Sequence, residues 1–188
     1  EITQVRSVVQ SLAWIARQVH IPVGYRVSRL QSNQNSATIF TAREVNRVLE
    51  YAIEHSDQGI FFQSGAFDWT NCCVVTISDA SFANETVDDK KNFSQPGVII
   101  GLTSPTVLNA EKVVMHFISW FSTLIRRVCR ATLQAEGYAM TSGVERGARL
   151  RAAIVDARGL LKPKSWEKSA SDNMFHCWLT DCDSLYEH

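Results

Sequence analysis

Apolar and polar positions alternate along the first forty residues with the period of a helix. Apolar side chains recur at spacings of three and four, which places them on one face and predicts a buried stripe. A second short helix is predicted over 23–30, because Pro22 suits the first turn of a helix. The stripe of the first helix is formed by Val5, Val8, Leu12, Ala16 and Val19.

A third helix is predicted to begin at Thr41. Thr41 and Glu44 have the spacing of a capping box, in which the hydroxyl and the carboxylate satisfy backbone amides at a helix start. The polar residues 32–36 before it are predicted to form a loop. After Gly59, residues 60–62 predict a short strand.

The period changes from helical to alternating between residues 64 and 71. Residues 73–79 predict a strand that ends at Asp79, and 97–102 and 113–120 predict two more. The polar residues 88–91 between the first two predict a hairpin loop. Three successive strands of this kind are typical of an antiparallel meander.

A long helix is predicted over 130–157. Within it, Glu136, Met140, Gly143 and Gly147 fall on one face at spacings of four, three and four. A glycine inside a helix costs about 1 kcal/mol relative to alanine. Two on one face therefore indicate a close approach of the helix to a sheet.

Glycine and proline end this helix, at Gly159 and Pro163. A polar loop over 164–173 and a fourth strand over 176–180 are predicted to follow, and residues 184–186 begin another helix. His116, His176, Trp120 and Trp178 lie inside or beside predicted strands, where packing in the core is the expected role; stacking on a nucleic-acid base is the alternative for the two tryptophans.

Three acids stand out against this pattern, because each lies beside a buried element. Asp79 and Asp181 follow apolar strands, and Glu136 lies on the glycine face of the long helix. A carboxylate in such a place is costly to bury unless it is paired or binds a metal. Each acid also has a structural explanation: Asp79 could occupy a turn, Glu136 a solvent-facing position, and Asp181 or Asp183 a helix N-cap. Taken together, the three predict a site for Mg²⁺ or Mn²⁺, which prefer oxygen ligands.

Composition and charge limit the classes of function that the sequence allows. Of the 188 residues, 45% are apolar, which is enough for a core, and the formal net charge is +0. Residues 126–168 hold ten Lys and Arg against four Asp and Glu, whereas 172–188 hold four acids and no Lys or Arg. A basic segment beside an acidic one fits a protein that holds a phosphate backbone near a metal; a solvated helix face would show the same pattern.

The five cysteines are odd in number and fall largely in apolar strands, which predicts reduced, buried thiols of an intracellular protein. Their spacing does not match a structural zinc site. No stretch approaches the roughly 18–20 apolar residues of a membrane span, so no membrane partner is expected. The chain does not begin like a signal peptide, and both ends suggest a cut through a longer polypeptide.

Short motifs in a fixed order carry a resemblance to a known family. Ile118-Ser119-Trp120 is similar to the third strand, and Gln134-Ala135-Glu136 to the helix motif, of the ribonuclease H domain in copia-type retrotransposon polyproteins. Segments 5–12, 23–30 and 44–51 resemble the thumb end of the reverse transcriptase in the same polyproteins. The first and fourth strand ends of that domain resemble Asp79-Ala80-Ser81-Phe82-Ala83 and Thr180-Asp181-Cys182-Asp183-Ser184-Leu185.

The resemblance implies a fold and a division of the chain. Residues 1–66 are expected to form a helical thumb or connection segment, and 67–188 a ribonuclease H-like domain. In fold class this is an α+β or α/β protein with a mixed sheet and a long helix packed on it.

The resemblance also implies an activity: metal-dependent hydrolysis of the RNA strand of an RNA–DNA hybrid during reverse transcription, leaving 3′-hydroxyl and 5′-phosphate ends. Asp79, Glu136 and Asp181 are the expected catalytic metal ligands. The expected partners are the hybrid and the rest of the polyprotein, in a cytoplasmic retroelement particle or the nucleus. Basic residues expected to hold phosphates are Arg126, Arg127, Arg130, Arg146, Arg149 and Lys164.

The chain departs from the family at several positions. Ser81 stands where a second Asp is usual, and Gln134 where a Glu is usual. The family's fourth acid lies beyond the next helix and is not in this sequence, and neither are the polymerase acids. The alternative function is therefore a catalytically incomplete module that binds nucleic acid or serves as a structural connection in a retroelement polyprotein.

Overall fold

The structure is a computed structural model that describes residues 2–87, 90–110 and 112–186. Short 3-10 turns occupy 21–23, 34–36, 105–108 and 163–165. The helices are α1 Ile2–Gln18, α2 Gly24–Asn33, α3 Ile39–Glu54, α4 Thr132–Ala157, α5 Trp166–Asn173 and α6 Asp183–Tyr186, and the strands are β1 Cys73–Val87, β2 Lys90–Thr103, β3 His116–Ser122 and β4 His176–Leu179.

The strands form one sheet in the order β3-β2-β1-β4, in which β4 pairs with β1 in parallel. This confirms the coarse fold class, a mixed α/β protein with a four-stranded mixed sheet and helices packed on it. The contacts divide the chain into two compact units, of which the first holds 1–60, 80–97 and 120–135 and the second 61–79, 98–119 and 136–188. The sequence predicts a boundary between two consecutive domains at residues 66 and 67. The two compact units are each built from several separate segments and do not test that boundary, so it stays a prediction.

The first unit has a core built by α1, α2 and α3. The buried face of α1 consists of Val9, Leu12, Ala13 and Ala16, and Val5 and Val8 pack against this core. The predicted stripe is therefore confirmed except at Val19, which is 47% exposed. Val23, Val27 and Leu30 from the second helical segment and Val45, Val48 and Ala52 from α3 complete this cluster.

Helix α3 begins earlier than the sequence predicts. Its N-cap is Thr38, whose hydroxyl accepts a hydrogen bond from the Thr41 amide while the Thr41 hydroxyl accepts one from the Thr38 amide. Thr41 is therefore the third residue of the helix and not its cap. The predicted loop over 32–36 is also wrong, because α2 continues to Asn33 and a 3-10 turn follows.

A buried acid on the long strand β1 is paired within the first unit. The Glu85 side chain is 4% exposed, and its carboxylate accepts a hydrogen bond from the Tyr25 hydroxyl at 2.5 Å and forms an ion pair with Arg29, whose Nε is 2.9 Å from Glu85 Oε2. Burial raises the pKa of Tyr25, and the carboxylate of Glu85 raises it further. Trp120, predicted as a core residue, is partly buried and donates its indole N–H to the Ala16 carbonyl at 2.7 Å.

An irregular segment lies between α3 and β1. Residues 60–62 have no regular structure, so the predicted strand is wrong; Phe61 is 82% exposed and Phe62 51% exposed. Beyond them, the buried His116 ring accepts a hydrogen bond from the Gln63 amide at 3.1 Å, as expected for a packed histidine. The rings of Phe62, Phe67 and Trp69 surround it.

Strand β1 is longer than predicted and continues eight residues past Asp79, to Val87. The prediction is wrong here because the strand does not stop at the acid, and Ala80 and Glu85 beyond it are both buried. Ala83 interrupts the extended backbone with a φ of 53°. Of the predicted hairpin loop, Asp88 and Asp89 lie outside the described residues, and Lys90 and Lys91 begin β2.

The long helix α4 lies where the sequence predicts. It ends in a Schellman motif, in which the Gly159 amide donates to the Asp156 carbonyl and the Leu160 amide to the Val155 carbonyl. Gly159 has a φ of 72°, a conformation that glycine adopts without strain. The predicted polar loop over 164–173 is instead the helix α5, because Ser169 and Ala170 are buried and anchor that segment.

Candidate metal centre

Three different elements of the second unit carry the three acids. Asp79 lies on β1, Glu136 in the second turn of α4, and Asp181 two residues after the end of β4. The parallel pairing aligns Ile77 with Leu179, so the next positions on the same face are Asp79 and Asp181. The register of β1 against β4 therefore brings these two acids to the same level of the sheet.

The three carboxyl groups converge. One carboxylate oxygen from each of Asp79, Glu136 and Asp181 lies within 4.8 Å of the other two. Asp79 and Asp181 are exposed, whereas Glu136 is only 4% exposed. The cluster thus has a buried base formed by Glu136 and an open side formed by the two aspartates.

Close packing of α4 on the sheet positions Glu136. A Cβ at Gly143 would lie 2.8 Å from Thr76 Cγ2, and one at Gly147 would lie 2.5 Å from His176 Cε1. The Ser78 hydroxyl contacts the Met140 sulfur at 3.7 Å. The prediction that this face of the helix approaches a sheet is therefore confirmed, and it is the face that carries Glu136.

A side-chain hydrogen bond also joins the two strands that carry aspartates. Thr76 Oγ1 on β1 and His176 Nε2 on β4 are 2.8 Å apart. Burial, with a smaller contribution from the nearby Arg151 guanidinium, lowers the pKa of His176 to about 4. The imidazole is consequently neutral near pH 7.

The donor set fits a hard divalent cation. Three carboxylate oxygens from separate elements are ligands of the kind that Mg²⁺ and Mn²⁺ take, and the set includes no sulfur or imidazole. Carboxylates this close repel one another, and a cation between them would remove that repulsion. Because Asp79 and Asp181 are exposed, the cluster is open to solvent on their side.

The predicted phosphate-binding residues fall in both units and are exposed. Arg146 and Arg149 lie on α4 and Lys164 in the 3-10 turn after it, all in the second unit with the acid cluster. Arg126, Arg127 and Arg130 belong to the first unit. The structure therefore places one half of this set in the same unit as the three acids.

Two predicted roles near the three acids need correction, and the sequence does not predict one contact near them. Trp178, expected in the core, is 55% exposed, because it lies on β4 at the edge of the sheet. Asp183, expected as an N-cap, is the first residue of α6. The Thr76–His176 contact was not predicted; its only sequence signal is a polar residue in each of two apolar strands, and the pairing of those strands is not local.

Comparison with protein-family models, with curated proteins and with solved structures finds no match for this chain. Within the described residues, none of the helices combines the length and the apolar character that crossing a membrane requires.

Proposed function

We propose that this protein is a ribonuclease H-like nuclease that uses Mg²⁺ or Mn²⁺ to hydrolyse the RNA strand of RNA–DNA hybrids, as part of a copia-type retrotransposon polyprotein. The observation that carries the proposal is the convergence of Asp79, Glu136 and Asp181 within 4.8 Å. The strand order β3-β2-β1-β4, with α4 before a β4 that is parallel to β1, is compatible with that fold.

The three acids have distinct roles in this proposal. Glu136 is the buried ligand whose position is set by the packing of α4, and Asp79 and Asp181 complete the set from the exposed side. A divalent ion held there supplies activation of water and stabilisation of the leaving oxygen in phosphodiester hydrolysis. The protein's contribution is to hold three oxygen donors at fixed spacing and to leave one side open to substrate.

Selection of the RNA strand in this proposal depends on the 2′-hydroxyl, the group by which a protein distinguishes RNA from DNA. Arg146 and Arg149 on α4 and Lys164 after it are exposed cations of the same unit as the acids. They would position phosphates of the hybrid and make binding weaker as salt increases.

The test is a cleavage assay on an RNA–DNA hybrid with Mg²⁺ or Mn²⁺, using the 188-residue protein. We expect cleavage only with added metal, and we expect Asp79→Asn to reduce it to background while the hybrid still binds, because the variant removes a ligand and little surface. Asp183→Asn is the matched control, since it removes an exposed acid outside the cluster.

Two results would count against the proposal. Cleavage by Asp79→Asn at the wild-type rate would show that the acid cluster is not the site. Binding of the hybrid by the wild-type protein without cleavage at any metal concentration would instead favour the binding or connection module that the sequence leaves as the alternative.

A further inference from the structure

We propose that His176 is a positioning residue for the metal centre, acting through its contacts with Thr76 and Gly147. These three residues, here termed the strand–helix clamp, hold the elements that carry the three acids. The inference rests on the proposed function, because it concerns the spacing of the same metal ligands.

The clamp touches each acid-bearing element once. Thr76 is on β1 and hydrogen-bonds His176 on β4 at 2.8 Å, and the ring of His176 lies where a Cβ of Gly147 on α4 would be only 2.5 Å away. Along the chain, these residues precede Asp79 by three positions, precede Asp181 by five and follow Glu136 by eleven. Eleven residues are close to three helical turns, so Gly147 and Glu136 share a face of α4.

The clamp adds a side-chain bond to the few contacts that hold the register of β4, which are its backbone pairing with β1 and the packing of Cys177 against Cys73 and Val75. The strand is four residues long and lies at the edge of the described sheet. A shift of one residue along β1 would turn its side chains to the other face and move Asp181 away from Asp79. A directional bond between Thr76 and His176 favours one register, which an apolar contact of the same size would not do.

The polar character of the clamp also indicates a positioning role. Thr76 is fully buried, and a hydroxyl there is costly unless it finds a partner. The imidazole is neutral, because burial and Arg151 disfavour its charged form. It therefore adds no repulsion to a cation bound by the acids, and its remaining role is geometric.

The experiment measures Mn²⁺ affinity by calorimetric titration of the 188-residue protein at pH 7.5, without nucleic acid. Thr76→Val removes the hydroxyl at nearly constant volume, and His176→Phe keeps an aromatic ring without the nitrogen. His176→Gln retains a hydrogen-bonding group near the position of Nε2. Thr103→Val is the matched control. Thr103 is also fully buried, and its hydroxyl donates to the Val114 carbonyl, in a part of the chain that carries none of the three acids.

We expect Thr76→Val and His176→Phe each to weaken Mn²⁺ binding about tenfold, the lower end of the effect seen for residues that orient metal ligands. The double variant should be little weaker than either single one, because both remove the same bond. His176→Gln should recover most of the affinity, and Thr103→Val should leave it unchanged. The free energy of unfolding in chelator, measured for every variant, separates lost stability from lost affinity.

Unchanged Mn²⁺ affinity in Thr76→Val and His176→Phe, with a loss of stability like that of Thr103→Val, would overturn the positioning role and leave the metal centre standing. If instead the wild-type protein and Asp79→Asn bind Mn²⁺ equally, the metal centre itself is wrong, and the clamp role fails with it. The Mn²⁺ titrations therefore distinguish a failure of the positioning role from a failure of the metal centre.

Discussion

Replacement of Gly147 by alanine tests the packing that positions Glu136. The new Cβ would lie 2.5 Å from Cε1 and Nε2 of His176 and 2.6 Å from Thr76 Oγ1, distances at which one of the groups must move. Movement of either side chain away from the new Cβ would strain the 2.8 Å bond between Thr76 and His176, and movement of α4 instead would displace Glu136. Gly137→Ala in the same helix is the matched control, since its Cβ would meet nothing within 4 Å.

The expected changes in the free energy of unfolding have opposite signs at the two positions. Alanine favours a helix over glycine by about 1 kcal/mol, so Gly137→Ala should raise the free energy of unfolding by about that amount. At Gly147 the same gain is opposed by overpacking, about 1–3 kcal/mol, and by a weakened hydrogen bond, about 1 kcal/mol. We therefore expect Gly147→Ala to lower the free energy of unfolding by about 1–3 kcal/mol.

The assay is urea denaturation followed by circular dichroism, in chelator so that bound metal does not contribute. The two variants should differ by about 2–4 kcal/mol in the free energy of unfolding, with similar slopes against urea. If Gly147→Ala is as stable as Gly137→Ala, α4 does not pack on Thr76 and His176 as described. The account of how Glu136 reaches the two aspartates would then fail.

Two further predictions follow from the pKa of His176 and the cap of α3. Because folding lowers the pKa of His176 from 6.5 to about 4, the unfolded chain binds a proton that the folded protein does not, and stability should fall as the pH decreases from 6.5 towards 4. His176 contributes at most about 1.4 kcal/mol per pH unit to the slope of the free energy of unfolding against pH. Urea denaturation across that pH range should show a smaller slope in His176→Gln than in the wild type. An unchanged slope would exclude His176 as its source. Thr38→Ala should lower the free energy of unfolding by about 1 kcal/mol and Thr38→Ser by much less, and equal losses in thermal or urea denaturation would contradict the observed cap.

Local pattern was sufficient for the longer helices and for most strands. The period of α4, the glycines on one face of it and the stop at Gly159 are all visible in the sequence, because a helix repeats every 3.6 residues whatever it packs against. The same reasoning failed at Thr41, where two threonines three residues apart form the box and the true cap is the earlier one. It failed again over 166–173, where a polar segment becomes helical because burial of Ser169 and Ala170 outweighs its composition.

The sequence by itself determined which acids are candidate metal ligands and which element each lies on: Asp79 on a strand, Glu136 on a helix and Asp181 after another strand. Only the tertiary structure decided that their carboxylates lie within 4.8 Å. That distance depends on the register of β4 against β1, strands about one hundred residues apart in the chain, and on how closely α4 approaches them. Periodicity describes the faces of single elements, whereas register and approach arise from side chains that meet only after folding, such as Thr76 and His176.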